Sequence, residues 1–135
     1  MTQTFRSEEQ QYRFNFPYQC GTNCELPYKA FDNEHEVVAG KDFVVMGTDG
    51  LFDNLYDADI HACLAPSIQA KKGLTDVFEL INASAVATCM ASKAYTLSKD
   101  RRYMSPFAQG ASKVRQFYMG GKEDDITVIV AQIVR

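Results

Sequence analysis

Apolar residues are densest in two short runs, and each run abuts an acidic turn, the first at its end and the second at its start. Phe43-Val44-Val45-Met46-Gly47 is apolar at consecutive positions, which predicts a strand covered on both faces. It exits into Thr48-Asp49-Gly50-Leu51-Phe52-Asp53-Asn54, an Asp-Gly turn followed by a helix start. The second run, Ile126-Thr127-Val128-Ile129-Val130-Ala131, is entered from Gly120-Gly121-Lys122-Glu123-Asp124-Asp125. If the two strands lie antiparallel in one sheet, Asp49 and Asp124 share a sheet edge.

The remaining pattern predicts the elements that cover these strands. Tyr12, Phe14 and Phe16 alternate with Arg13 and Asn15, so residues 12–18 read as a half-buried strand ending at Pro17. Residues 19–35 mix Gly, Thr, Asn, Pro, Asp and Glu and read as a loop with a short turn at Asp32-Asn33. Val37 and Val38 begin a strand that reverses through Gly40-Lys41-Asp42 into the 43–47 run, a hairpin. Asp57 caps a helix over residues 58–65, with Asn54 a rival cap, and Pro66 stops it. A longer helix is predicted from about residue 76 to about residue 97. Its stripe is Leu74, Val77, Phe78, Ile81, Ala85 and Cys89, and Thr75 is its cap. Lys93, Lys99, Arg101 and Arg102 cluster at and after its end, where cations suit the helix dipole. They read as a solvated helix end in preference to a phosphate site. Ser105 and Pro106 start a last helix carrying residues 107–117, which Gly120-Gly121 breaks. No repeat, low-complexity tract or linker interrupts the 135 residues, which suit one domain.

Composition narrows the function classes. The chain is 46% hydrophobic and 23% charged, which marks a globular chain able to bury a core. Its formal net charge of -3 lacks the basic excess of a general nucleic-acid binder. No apolar run approaches the roughly 20 residues that span a bilayer, so no membrane role is expected. The first residues, Met1 to Glu9, show neither an apolar signal core nor the character of a transit peptide. Cys20, Cys24 and His35 sketch a zinc site without a fourth ligand at ordinary spacing. The simpler expectation is four free thiols in a reducing compartment, with Cys63 and Cys89 as small core residues on helices.

The two acidic turns carry the chemistry. Mg²⁺ and Mn²⁺ prefer carboxylate and water oxygens. A carboxylate at a strand end is held by the sheet yet faces solvent. Gly50 lets the backbone turn sharply after Asp49, and Gly120-Gly121 does the same before Asp124. Asp-Gly is also a common solvated turn. Asp53 and Asn54 read as helix-capping groups rather than ligands. No serine, cysteine and histidine arrangement suggests a nucleophile.

Several motifs, taken in order, resemble one family. Gly47-Thr48-Asp49-Gly50-Leu51-Phe52-Asp53 resembles the second metal motif of the metal-dependent type 2C protein Ser/Thr phosphatases. Gly121-Lys122-Glu123-Asp124-Asp125-Ile126-Thr127-Val128 resembles their final motif. Ser7 to Gln19, Tyr103 to Ala108 and Gly120-Gly121-Lys122 resemble the mitochondrial subgroup, and only residues 21–36 match poorly. The resemblance implies an α+β fold, part of a four-layer α-β-β-α sandwich in which two antiparallel sheets face each other. It implies that Asp49 and Asp124 are ligands of a binuclear Mg²⁺ or Mn²⁺ centre, with no catalytic residue beyond the metal ligands. A metal-activated water would attack phosphorus in line and expel a Ser or Thr alkoxide.

Two departures from the family pattern matter. The family adds a further aspartate and glycine, and a phosphate-binding arginine, from the N-terminal half of its fold. Residues 1–40 contain no Asp-Gly-x-Gly-Gly stretch or substitute. Residues 1–135 therefore resemble the C-terminal portion of a type 2C domain. In addition, Glu123 stands where the subgroup often has proline. The reading is a hydrolase acting on phosphorylated protein substrates, mitochondrial by resemblance, whose catalytic domain is incomplete in this chain. The alternative is a non-catalytic pseudophosphatase or regulatory module that associates through exposed sheet edges. A stand-alone calcium module ranks last, because the carboxylates are too few for a closed cage.

Overall fold

The computed structural model describes residues 2–22 and 26–134. The chain divides into two compact units between Glu36 and Val37.

In the first unit, the predicted strand over residues 12–18 is instead a tight hairpin. Strand β1 (Gln11–Arg13) pairs antiparallel with β2 (Phe16–Pro17). Asn15 adopts a left-handed conformation, φ 58°, and its N–H bonds the Gln11 side chain. Asn tolerates this region better than most residues, which is why the chain reverses there instead of extending. Tyr12 and Phe16 stay exposed. Between Cys20 and Glu36 the described residues are largely irregular, apart from a 3₁₀ turn at Pro27–Lys29. The Gln10 side chain ties this stretch down, donating to the Phe31 carbonyl and accepting from the Phe31 N–H.

The second unit is built on strand β3 (Phe43–Gly47) and the last strand, β6 (Val128–Gln132). They pair antiparallel in continuous register, from Phe43 opposite Gln132 to Gly47 opposite Val128. The predicted hairpin partner of β3, Val37-Val38, is not a strand. The N–H groups of Lys41 and Asp42 both bond the Val38 carbonyl, and the Asp42 carboxylate accepts from the Val38 N–H. That closes a turn, and Gly40 (φ 76°) hands its N–H to Ile133. Beyond β3 the order is α1 (Asp49–Phe52), α2 (Asp57–Leu64), a 3₁₀ turn (Ala65–Ser67), β4 (Ile68–Ala70), β5 (Phe78–Leu80), α3 (Ala83–Ser98) and α4 (Pro106–Lys113).

The front of the predicted 76–97 helix is a strand. Gly73 and Asp76 both have positive φ, and the Lys71 N–H bonds the Val77 carbonyl, so β4 and β5 form a hairpin. The helix begins only at Ala83, where the Asn82 side chain accepts from the Ala85 N–H. Its buried face is Val86, Met90, Ala94 and Ser98, at strict i+4 spacing, not the predicted stripe. Val86, Met90 and Ala94 meet Leu51, Leu55, Ile60, Cys63 and Leu64 in one core, with Phe43, Val45, Val128 and Val130 of the sheet packed against it. Burying a side chain such as Leu55 contributes about 1.5–3 kcal/mol. Cys63 and Cys89 are joined in a disulfide that ties α2 to α3, so the expectation of free thiols fails for this pair. Sequence pattern could not reveal it, because 26 positions separate the two residues and only the helix packing brings them together.

The expectation of a doubly covered β3 is met on one face only. Val44, Met46, Ile129 and Ala131 fall on the other face, where Met46 and Ile129 are each 52% exposed. No third strand pairs with β3 or β6 among the described residues. No helix among them is long and apolar enough to cross a membrane.

Candidate metal centre

The β3–β6 register brings the two acidic turns together, and three local devices lock them. The first is Thr48. Its backbone N–H bonds the Thr127 carbonyl, its hydroxyl donates to the Asp125 carbonyl at 2.7 Å, and it accepts from the Thr127 N–H at 3.0 Å. The second is close approach at Gly50. A Cβ there would lie 2.5 Å from the Asp125 carbonyl oxygen, so only glycine lets the turns touch. The third is Asn54, fully buried, whose side-chain amide donates to the carbonyls of Gly50 and Lys122 and accepts from the Lys122 N–H. Asn54 was expected at a helix cap; it is instead the clamp between the turns. The second turn is held from the other side by α4. Ser105 caps that helix by accepting from the Ala108 N–H, as its sequence position predicts, and donates to the Gly120 carbonyl. The helix stops at Lys113, short of the predicted 117, and Arg115 follows with φ 61°.

Carboxylate oxygens of Asp49, Asp53 and Asp124 lie within 4.8 Å of one another. Asp49 and Asp124 are oriented alike. Each uses Oδ1 to accept from the N–H of the next residue, Gly50 or Asp125, at 2.9 Å. Their Oδ2 atoms face a shared point, where the Lys122 ammonium sits. It lies 2.7 Å from Asp53, 3.1 Å from Asp124 and 3.5 Å from Asp49. The hydrogen bond from the Asp125 N–H, then the Lys122 ammonium, hold the Asp124 carboxyl below its ordinary range. Partial burial pulls the Lys122 ammonium down, but its bonds to Asp53 and Asp124 outweigh that and raise it overall. An open cavity lined by Ser92, Tyr95 and Thr96 of α3 borders Asp124 and Asp125.

Asp49 and Asp124, the ligand candidates read from sequence, are thus neighbours in space. Two charged members of the cluster were not identified from sequence. Asp53 reads as a cap in the sequence, although its i+4 spacing from Asp49 on a helical turn places both on one face. Lys122 enters the sequence reading only as part of a motif, since nothing local to it announces its pairing with Asp49 and Asp53 across the turns. The zinc sketch gains no support. Cys20 is exposed, the His35 ring stacks on Phe5, and Cys24 lies outside the described residues. Of the basic cluster, Lys93 pairs with Asp59 of α2, and Lys99 donates to the Tyr95 hydroxyl on its own helix.

The donor set is chemically consistent. Three carboxylates and no sulfur or imidazole suit hard cations such as Mg²⁺ and Mn²⁺. Asp49 opens α1 just after β3, and Asp124 lies in the turn before β6, which begins at Val128 and not at Ile126 as the apolar run suggests; the ladder and the Thr48 and Asn54 bonds hold the two turns together.

Comparison with known proteins agrees with this geometry. No family model matches the chain. It is 37% identical to probable protein phosphatase 2C 55 of Arabidopsis thaliana, over 96% of its own length and 26% of that protein's. It is also 37% identical to the protein phosphatase PTC7 homologue of Xenopus laevis, over 93% of its own length and 42% of the relative's. Among solved structures it resembles the photosystem II phosphatase PBCP, with a TM-score of 0.75 and 26% identity, covering 96% of this chain and 51% of that one. The similarity runs over nearly the whole chain, which matches part of the type 2C protein phosphatases and a piece of their α/β sandwich. It spans about a quarter to two-fifths of the length of these curated relatives.

Proposed function

We propose that residues 1–135 form the C-terminal portion of a metal-dependent protein Ser/Thr phosphatase domain and supply one wall of its active site. The observation that carries this is the convergence of the Asp49 and Asp124 carboxylates at one end of the β3–β6 ladder. In this reading Asp49 and Asp124 hold Mg²⁺ or Mn²⁺ through the Oδ2 atoms that face their shared centre. Bound there, the ions would supply an activated water and offset charge on the phosphoryl oxygens of a phosphoserine or phosphothreonine substrate. The chain's own contribution is positional. The sheet, the Thr48 stitch and the Asn54 clamp fix two carboxylates before any ion arrives, so no ordering cost falls on binding. The PTC7 homologues among the relatives favour a mitochondrial setting for this enzyme, in line with the subgroup resemblance.

A chimera tests the function. The segment of the Xenopus PTC7 homologue that aligns with this chain would be replaced by these 135 residues. The expected result is Mn²⁺-dependent hydrolysis of a phosphothreonine peptide. Asp49→Ala or Asp124→Ala should each reduce it by at least about a hundredfold, the scale of losing a group that stabilises the transition state. Hydrolysis indifferent to both substitutions would contradict the assignment. The 135-residue chain by itself should show little or no turnover. Robust activity from it alone, abolished by Asp49→Ala, would overturn the view that its active site needs a second wall.

The exposed sheet face supports a second reading, a non-catalytic module that associates through that surface. Light scattering separates the two. A stable complex of the 135-residue chain with itself or a partner protein, together with an inactive chimera, would favour it.

A further inference from the structure

The Lys122 ammonium stands at the centre of the carboxylates that the metal reading assigns to the ion. We propose that Lys122 is a tethered competitor for the divalent cation: the ion enters by displacing its ammonium from Asp49 and Asp124, while Asp53 retains the lysine. This rests on the metal reading above.

The geometry ranks the three contacts. Lys122 is closest to Asp53, at 2.7 Å, whose side chain is only 13% exposed. Its distances to Asp124 and Asp49 are 3.1 and 3.5 Å, and those side chains are 36% and 62% exposed. The lysine is therefore held tightly on the inner side of the cluster and loosely on the outer side, where an ion arrives from solvent. Its own side chain is 16% exposed, and the ammonium lies 4.9 Å from the centre of the Phe107 ring. A short retreat toward Asp53 and Phe107 keeps an ion-pair partner and an aromatic face for the ammonium. The outer carboxylates need no rearrangement. Each already anchors Oδ1 on a backbone N–H and turns Oδ2 to the centre.

The physical consequence is an exchange equilibrium. Without an ion, three carboxylates within 4.8 Å repel one another, and the lysine offsets that repulsion. With an ion present, a monocation and a dication compete for the same oxygens. Lys122 thus stabilises the metal-free chain and weakens its hold on metal. It also withholds Asp53, so the ion meets two carboxylates of this wall and not three.

Titration of Mn²⁺ into the 135-residue chain, followed by calorimetry and by the electron paramagnetic resonance of free Mn²⁺, tests this. Lys122→Gln should bind Mn²⁺ about tenfold more tightly than the wild type, because one like charge has left the site. Lys122→Arg, which keeps the charge, should stay near the wild type. Adding Asp53→Asn to Lys122→Gln should cancel most of the gain. In thermal melts, Lys122→Gln should be less stable than the wild type without Mn²⁺ and recover more on adding it, which also confirms that the variant folds. Equal or weaker Mn²⁺ binding by folded Lys122→Gln, with the wild type still binding, overturns the competitor role and leaves the metal site standing. No saturable binding by either protein overturns the metal reading and this inference together.

Discussion

The two faces of the β3–β6 sheet have similar side chains and different surroundings. Phe43, Val45, Val128 and Val130 point one way and pack against Met90, Val86, Leu51 and Leu55. Val44, Met46, Ile129 and Ala131 fall on the opposite face by the strand alternation, and Met46 and Ile129 are half exposed. Hydrophobicity alone does not decide burial here; the presence of a covering layer does. The covered face explains why the 37–135 unit holds a core at all. The bare face fits a chain that aligns with 51% of its solved neighbour and with smaller fractions of its curated relatives. The acidic cluster lies at the end of the sheet, where the same ladder supports both faces.

Substitutions on the covered side should have the largest effect. Leu55 is fully buried at the centre of the core. Leu55→Ala should cost about 2–5 kcal/mol in a denaturant melt. A loss under about 1 kcal/mol would mean that the core is looser than its burial implies. At the junction, Asn54→Ala removes three hydrogen bonds and strands two carbonyls and an N–H. It should cost about 2–3 kcal/mol. It should also weaken Mn²⁺ binding, because the turns lose their clamp. On the bare side, Met46→Ser should change stability by less than about 0.5 kcal/mol, as expected of an exposed site. A loss approaching that of Leu55→Ala would show that the face is covered in the isolated chain, for example by a second copy. That result would remove the contrast between the faces.

Much of this arrangement was legible in the sequence, and the failures have identifiable causes. One apolar run leaves into an acidic turn and the other is entered from one, so antiparallel pairing, the condition set from sequence, sufficed to place Asp49 beside Asp124; the structure supplies that pairing. The Ser105-Pro106 start of α4 was readable because capping is local. The 76–97 region misled because Val77, Phe78 and Ile81 fit either a helix stripe or a β arm. What decides between them is the left-handed backbone at Gly73 and Asp76 and the cap at Asn82. The hairpin at Asn15 is a similar case. Asn54 and Lys122 were illegible for another reason. Their partners on the opposite turn lie 68 to 73 positions away, and only the assembled turns supply them. The Cys63–Cys89 disulfide likewise depends on helix packing.

The central claim is that Asp49 and Asp124, brought together by the β3–β6 ladder, hold a divalent ion. Mn²⁺ titration of the wild type against Asp49→Asn, Asp124→Asn and the double variant tests it most directly. Asparagine keeps the size of the side chain and removes the charge. The expected result is weak, saturable binding by the wild type, at least about tenfold weaker binding by each single variant, and none by the double. Unchanged Mn²⁺ affinity in the folded double variant would contradict it.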